Sequence, residues 1–370
     1  MSPTPPSPPT PPSPPTPPTP PSSLRVPRPL RPGDVVGVTA PSAGVAPAMA
    51  ARLRAAVEVV AARGYDVRLG ECLLTDGDPV VSAPREARAA ELMGMLLDPA
   101  VAAIVPPWGG ELGIDLLPLL DWDALASAEP TWVVGYSDLT TLMLPLTTRL
   151  GWATLHGHNL MDTPYTVPDG LVGWLDVLEH DPADGPLTQT SPGRTRREGW
   201  DDYRGDPGVA VMTLDATTDW VTPSEGPLPG PFAGRLVGGC LETVAHLAGT
   251  PYGDVRGWAR EHAPEGTVVL VEAAEHAALD VARALHGLRL AGWFEHANGV
   301  LVGRTPAPDS PAFTQADAVA DALAGLRTPA GRDLPVVRDV DYGHTQPFAS
   351  WVAGAWAEVD PAARVVSQTW

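Results

Sequence analysis

The chain has 370 residues, and at roughly 100–200 residues per domain this length suggests two domains. Its formal net charge of −20 argues against nucleic acid or an anionic membrane surface as a partner, because both attract proteins through lysine and arginine. Apolar runs stay below the roughly 18 residues of a membrane span and no secretory signal pattern is present, so we expect a cytoplasmic protein.

The first segment is a low-complexity tract. Residues 1–23 consist mainly of repeated Pro, Ser and Thr, which have little to bury and favour extended polyproline conformations. We predict a disordered tail, with a ligand for a proline-binding domain as the alternative. Beyond it we predict an N-terminal α/β domain at 24–164, a loop-rich insertion or linker at 165–233, and a C-terminal domain at 234–370.

Strands and helices alternate after the tail. Strands are predicted at 34–40, 66–69, 101–105, 131–134, 153–156, 267–271, 299–302 and 336–340, and the last twenty residues suggest a β-hairpin. Helices are predicted at 48–63, 84–97, 112–120, 138–150, 241–247 and 277–291. This alternation is typical of a largely parallel sheet covered by helices.

The sharpest local signal is TWVVGYSDLTTL at 131–142, where an apolar strand leads through Gly-Tyr-Ser-Asp into a helix. Such a turn can expose Ser137 as a nucleophile, and the N–H of Asp138 can donate to an oxyanion. The usual fingerprint has glycine two places after the serine, whereas this chain has Leu139. A helix cap formed by Ser137 and Asp138 is the alternative.

A nucleophilic serine needs a base and an orienting carboxylate. His344 follows a predicted strand and lies among glycine and proline, and Glu272 closes an apolar strand where an unpaired carboxylate would be costly. The order Ser, Glu, His also occurs in hydrolases of α/β fold. A capping glutamate and a surface histidine are the alternatives.

Two glycine-rich turns are further candidates. Gly109 and Gly110 follow a strand and could supply oxyanion donors or contact substrate, although an ordinary turn is the alternative. The segment GRLVGGC at 234–240 lacks the lysine of a phosphate-binding loop, so we expect a tight strand–helix turn that brings Cys240 near the site. Cys240 and Cys72 are the only cysteines, which favours free thiols over a disulfide framework.

Histidines and tryptophans complete the candidates. His156 and His158 could bind a metal, but with no third ligand nearby we expect a structural or pocket-lining role and no metal or cofactor. Trp200 and Trp220 lie in the predicted insertion and are either packing residues or an aromatic platform for substrate.

The motifs together resemble the LD-carboxypeptidase family of serine peptidases, in the branch similar to the microcin C immunity protein. The matching segments, in chain order, are RPGDVVGVTAPSAG, SAPREARAAELMGMLLDPAVAAI, the Gly-Gly after a strand, GYSDLTTL, GRLVGGCLETVAHLAGTPYGDV, VVLVEAAEH and VDYGHTQP. The long insertion is also more similar to that branch than to shorter peptidoglycan-recycling members.

The resemblance implies a catalytic triad of Ser137, Glu272 and His344. It also implies a flavodoxin- or Rossmann-like parallel-sheet domain, a smaller β-rich C-terminal domain, an active site between them, and a homodimer. Cys240 stands where family members often have asparagine, which leaves the details of substrate binding open.

Three functions follow as expectations. The first is a serine amidase, similar to the microcin immunity protein, that cleaves an aminoacyl-nucleotide or peptide amide without a cofactor. The second is an LD-carboxypeptidase that removes the terminal D-amino acid from murein tetrapeptides. The third is a small-molecule binding protein without catalytic activity.

Overall fold

The computed structural model describes residues 24–75, 80–224 and 226–370, so the predicted tail lies outside the described residues. The strands are β1 Val35–Val38, β2 Asp66–Leu69, β3 Val101–Ile104, β4 Trp132–Gly135, β5 Thr154–His156, β6 Leu187–Thr190, β7 Arg194–Thr195, β8 Ala216–Thr217, β9 Phe232–Cys240, β10 Thr267–Glu272, β11 Ala297–Gly303, β12 Val336–Val340, β13 Trp351–Ala353, β14 Trp356–Asp360 and β15 Val365–Thr369. The α-helices are α1 Ala50–Ala62, α2 Arg85–Leu96, α3 Trp122–Ser127, α4 Thr140–Leu150, α5 Trp174–Glu179, α6 Leu241–Leu247, α7 Val255–His262, α8 Ala278–Leu290 and α9 Gln315–Leu323.

The first sheet has six strands in the order β13-β5-β4-β3-β1-β2. Its five N-terminal strands are parallel and follow the flavodoxin-like order, whereas β13 pairs antiparallel with β5. Strands β3 and β4 are buried along their whole length, because helices cover parallel sheets on both faces. In this order, ligands bind outside the carboxyl ends of β1 and β3, where the connections diverge.

The second sheet has seven strands in the order β12-β11-β10-β9-β14-β15-β6. Strands β9 to β12 are parallel, and β14, β15 and β6 add an antiparallel half. The predicted C-terminal hairpin is therefore present as β14 and β15. These features confirm the predicted α/β class with a parallel-sheet N-terminal part and a β-rich C-terminal part.

The two sheets are joined through α4 and α6, which belong to one hydrophobic core. Leu142 and Met143 of α4 lie in the same buried cluster as Leu241 and Val244 of α6. Ser137, just after β4 of the first sheet, and Cys240, at the end of β9 of the second, line the same cavity.

Two segments differ from their predictions. The predicted helix at 112–120 is a 3-10 helix, Gly113–Leu119, which contains Pro118 and so lacks one backbone donor. The predicted loop-rich insertion contains α5 and β6, and β6 forms the edge of the second sheet. The domain boundaries proposed from composition remain a prediction.

Candidate active site

Ser137 occupies a strained turn at the carboxyl end of β4. Its φ angle is +65°, in the left-handed region that L-residues with a side chain rarely adopt. A 3-10 turn, Ser137–Leu139, follows and leads directly into α4. A serine held this way at a strand–helix junction has the geometry of a nucleophile elbow, with its hydroxyl near the positive end of a helix.

The loop after β3 lies directly against this turn, and glycine makes the approach possible. A Cβ atom on Gly109 would lie 2.7 Å from Cβ of Ser137 and 2.9 Å from the backbone nitrogen of Asp138. A Cβ atom on Gly110 would collide with the loop after β1, 2.7 Å from the nitrogen of Ala43. Gly109 therefore packs against the nucleophile turn, and the predicted oxyanion residues Gly110 and Asp138 line one cavity together with Ser137.

The carboxylate of Asp138 connects the loops around the turn. It is 3% exposed, and its Oδ2 accepts hydrogen bonds from the Ser42 hydroxyl at 2.5 Å and from the Gly113 N–H at 2.6 Å. Its Oδ1 accepts from the Thr141 hydroxyl at 3.2 Å. One side chain therefore fixes the loops after β1 and β3 relative to the nucleophile turn, a role that the sequence analysis missed.

Glu272, which is buried, and His344, which is partly buried, form a hydrogen-bonded pair at the carboxyl end of the second sheet. Glu272 ends β10 with 0% exposure, and its Oε2 lies 2.8 Å from Nδ1 of His344. A Cβ atom on Gly343 would lie 2.5 Å from Cδ of Glu272, so only glycine allows this approach. Burial alone lowers the pKa of His344, but the charge and hydrogen bond of Glu272 outweigh it and raise the pKa above its usual value.

Arg304, after β11, holds the loop that carries His344. Its guanidinium lies 2.8 Å from Oδ1 of Asp341 and donates to the carbonyls of Thr345 and Pro347. Asp341 is 1% exposed and already paired, so Glu272 is the carboxylate available to His344. No motif drew attention to Arg304 in the sequence.

Ser137 and His344 both line two cavities. Within the described residues, the Ser137 hydroxyl makes no hydrogen bond in this conformation. Contacts of this kind often tighten only when substrate binds. The nucleophile and the histidine are therefore within reach of both cavities.

The larger cavity, here called the aromatic cavity, measures about 440 Å³. Its walls include Trp108, Trp200 and Tyr203, together with the buried carboxyl group of Asp162. Burial raises the pKa of Asp162 to about 6, although the hydrogen bond that its carboxylate accepts from the backbone N–H of Asn159 acts to lower it. The other cavity, here called the acidic cavity, measures about 320 Å³ and is lined by Glu111, Asp138, Cys240, Glu242, His246 and Glu275 among others.

The two candidate tryptophans have different surroundings. Trp200 is 40% exposed and lines the aromatic cavity. Trp220 is 4% exposed, packs in the core against the second sheet, and donates from Nε1 to Oδ2 of Asp341 at 3.2 Å. Of the two alternatives predicted for Trp220, packing or contact with substrate, the structure therefore favours packing, because the indole lies in the core.

Arg52 holds the segment that carries Trp200 and Tyr203. It is 0% exposed on α1, and Nη1 donates to the carbonyls of Val209 at 2.7 Å and Pro207 at 3.1 Å. Its guanidinium carbon lies 4.3 Å from the ring centroid of Tyr203, a cation–π contact. The sequence analysis missed this residue, although an arginine on the buried stripe of an alanine-rich helix was a usable signal.

His156 and His158 lie in an aromatic layer near His344. The ring of His156 stacks on Tyr342 with centroids 4.1 Å apart, and His158 packs edge-on against Phe348. Burial lowers the pKa of His156 to about 3 and that of His158 to about 4, so both rings are neutral near pH 7. These positions agree with a structural role.

Cys240 ends β9 beside Glu272, since the two residues are register partners in neighbouring strands. Its thiol is 2% exposed and lies 3.0 Å from Oε2 of Glu242. Burial, reinforced by the charges of both glutamates, raises the pKa of the Cys240 thiol well above its usual value. Cys240 therefore adjoins the site as a protonated thiol.

Comparisons with known proteins identify the family. A model of the LD-carboxypeptidase N-terminal domain matches residues 36–157, and a model of the LD-carboxypeptidase C-terminal domain matches residues 233–359. A carboxypeptidase-named protein of Streptomyces coelicolor is 31% identical, covering 90% of this chain and 93% of its own length. The microcin C7 self-immunity protein MccF of Escherichia coli is 24% identical, with coverages of 90% and 92%.

A solved structure extends the likeness to the fold. The structure of MccF in complex with glutamyl sulfamoyl guanosine aligns with a TM-score of 0.75 at 21% identity, over 94% of this chain and 98% of that chain. Fold and family models together define the class of protein, which is a serine hydrolase. More narrowly, the chain belongs to the LD-carboxypeptidase family, as its motifs predicted. In the described parts of the chain, no helix is both long and apolar enough to cross a membrane.

Proposed function

We propose that the protein hydrolyses an amide bond through an acyl-enzyme, with Ser137 as nucleophile, His344 as general base and Glu272 as the orienting carboxylate. The observation that carries this proposal is the Glu272–His344 hydrogen bond of 2.8 Å, together with the cavities that His344 shares with the strained Ser137 turn. A nucleophile, a base and a group that orients the base are the three parts that serine hydrolysis needs.

The chemistry proceeds in two halves. As the Ser137 oxygen attacks the amide carbonyl, Nε2 of His344 takes its proton, and Glu272 stabilises the resulting imidazolium. The N–H groups of Asp138 and Gly110 hold the oxyanion, and a single donor of this kind contributes about 10²–10³ in rate in comparable enzymes. His344 then protonates the leaving amine, and water releases the acyl group by the same steps in reverse order.

We infer that the substrate joins an amino-acid-like acyl group to a large planar leaving group, as in an aminoacyl-nucleotide. The aromatic cavity of about 440 Å³ has room for such a group, and Trp200, which is 40% exposed, lines it. Stacking of a base on an aromatic side chain is worth about 1–3 kcal/mol. Glutamyl sulfamoyl guanosine, held by a structurally similar protein, is a molecule of this kind.

The test compares kcat/KM for an aminoacyl sulfamoyl-adenosine and for an L,D-tetrapeptide from murein. We expect preference for the nucleotide, and a loss of that preference in Trp200→Ala. Trp220→Phe is the matched control, because Trp220 is buried away from the aromatic cavity. Preference for the tetrapeptide that Trp200→Ala leaves unchanged would instead assign the protein to murein carboxypeptidases.

A fluorophosphonate probe separates both enzymatic functions from a binding protein without activity. We expect covalent labelling of Ser137, because the probe requires an activated serine. An unlabelled protein that still bound the nucleotide analogue would favour the binding function.

The assembly and location of the protein are proposed from the family resemblance. We propose a cytoplasmic homodimer that acts on a small substrate, without nucleic acid or membrane as a partner. Sedimentation equilibrium measures the assembly directly, and a mass of one chain at micromolar concentration would contradict the dimer.

A further inference from the structure

One carboxylate oxygen in the active site has no hydrogen-bond partner. Glu272 is 0% exposed and its Oε2 is bonded to His344, but Oε1 has no donor within the described residues. A buried carboxylate oxygen without a donor is destabilising, and native proteins usually satisfy such atoms with a protein donor, a water or an ion. The free oxygen therefore indicates a place for a further group.

Two other metal-binding side chains lie beside Glu272. One ligand atom each from Cys240, Glu272 and His344 can be chosen so that all three lie within 4.8 Å of one another. Cys240 and Glu272 are register partners in the neighbouring strands β9 and β10. The backbone pairing of these strands therefore keeps the two side chains close together. Sulfur, carboxylate and imidazole are together the donor set of Zn²⁺ and similar cations.

We propose that Cys240, Glu272 and His344 bind a thiophilic divalent cation of the Zn²⁺ class, and that its binding reversibly stops hydrolysis. The Cys240 thiol releases its proton to solvent and forms a metal–sulfur bond, while a Glu272 oxygen and a His344 ring nitrogen donate electron pairs. No atom changes oxidation state. His344 is then held by the metal and cannot serve Ser137.

The acidic cavity provides the path of entry. Cys240 and His344 both line it, together with Glu111, Glu242 and Glu275, whose negative charges concentrate cations there. Oε2 of Glu242 lies 3.0 Å from the Cys240 sulfur and can supply a fourth ligand with a small movement. The site thus has donors, access and a favourable potential.

The binding test uses the Ser137→Ala protein, so that its outcome does not depend on the proposed hydrolysis. Zn²⁺ is titrated in competition with a chromophoric chelator, and we expect one equivalent to bind. Cys240→Ser in the same background should weaken binding by at least about tenfold, since even supporting groups of metal sites are worth about 10–100-fold. Cys72→Ser is the matched control, because Cys72 is the other buried thiol and lies in the first half of the chain.

Absence of binding, or equal affinity in the two cysteine variants, would overturn the site. Circular dichroism checks that Cys240→Ser is folded, and Cys240→Ala repeats the comparison if it is not. The inhibitory part alone rests on the proposed function and has its own measurement. We expect Zn²⁺ but not Mg²⁺ to inhibit the wild-type protein, and EDTA to restore the rate of hydrolysis. In Cys240→Ser, Zn²⁺ should lower the rate much less, when each rate is compared with that of the same variant without metal.

Zn²⁺ binding that left the rate of hydrolysis unchanged would overturn the proposed inhibition. A protein that hydrolysed no substrate but bound Zn²⁺ through Cys240 would overturn the proposed function and support the metal site. The two proposals therefore fail through different observations.

Discussion

Ser137 has a φ angle of +65°, an unfavourable conformation that the surrounding loops stabilise. A residue with a side chain in this region is destabilising by about 1–3 kcal/mol, and such strain clusters at functional sites. Here the strain is held by the hydrogen bonds of the neighbouring Asp138 carboxylate to two loops. Strain and support at adjacent residues agree with a serine that is placed for reaction.

Replacement of Ser137 by alanine tests the nucleophile. We expect Ser137→Ala to lose about 10⁶ in kcat, as in comparable enzymes, and to lose fluorophosphonate labelling, while its melting temperature stays within a few degrees of wild type. As a control, Ser127→Ala, at an exposed position of α3, should retain the wild-type kcat and the fluorophosphonate labelling. Near-normal turnover in Ser137→Ala would rule out the proposed mechanism.

The pH dependence follows from the raised pKa of His344. Only the neutral imidazole can act as base, so activity should fall as the pH drops through the pKa of His344 in the folded protein. We expect the midpoint of this acidic limb in kcat/KM to lie above the ordinary histidine value of about 6.5.

Glu272→Gln removes the charge that raises this pKa and leaves the burial that lowers it. The acidic limb should therefore shift to lower pH, and kcat should fall because the imidazolium loses its stabilising partner. Glu275→Gln is the matched control, since this exposed carboxylate contributes less to the pKa of His344. An identical limb and rate in Glu272→Gln would exclude Glu272 from the mechanism.

At the scale of elements, α1 acts on the site from a distance. Arg52 lies on its buried face and holds carbonyl groups of the segment that contributes Trp200 and Tyr203 to the aromatic cavity. Helix α1, which is remote from the nucleophile, thereby fixes the position of one wall of the aromatic cavity.

Arg52→Met should loosen this wall and leave the reacting groups in place. We expect KM for the aminoacyl sulfamoyl-adenosine to rise roughly 5- to 150-fold, the equivalent of about 1–3 kcal/mol of stacking, with a much smaller change in kcat. The melting temperature should also fall, because buried carbonyls lose their donors. Arg54→Met, exposed on the same helix, serves as control, and a loss confined to kcat would contradict a positioning role.

At the scale of the whole molecule, the described chain begins with an ordered segment. The Arg25 N–H donates to the Gly151 carbonyl at 2.6 Å, and the Arg25 carbonyl accepts from Ala153 at 3.0 Å. Leu30 is 4% exposed in the core of the first sheet. The border between dispensable and required sequence should therefore lie close to residue 24.

Truncation tests this border. Deletion of residues 1–22 should change neither the melting temperature nor kcat/KM, because a Pro/Ser/Thr tract has little to bury. Deletion of residues 1–30 should lower the melting temperature by several degrees, since it removes the docked segment. Equal melting temperatures for the two truncated proteins would show that residues 23–30 contribute no stability.

Much of the fold could be predicted from local sequence. The alternation of apolar strands and helices indicated the parallel sheet, because periodicity reports which faces are buried. Gly-Tyr-Ser-Asp indicated the elbow at Ser137, because turn chemistry depends on neighbouring residues. The resemblance of ordered motifs indicated the family and drew attention to Glu272 and His344.

Tertiary structure decided the features that depend on residues far apart in the chain. Strand β13 pairs with β5 in the first sheet, and β6 joins the second sheet. Neither pairing could be predicted, because a local sequence pattern does not indicate which strand lies next to it in a sheet. Trp200 and Trp220 have the same side chain in the same segment, but only Trp200 faces the cavity. The sequence by itself determined which residues could be buried or reactive, because side-chain polarity and periodicity are local properties. The packing of the two sheets decided which of them meet, because contacts join residues that are far apart in the chain.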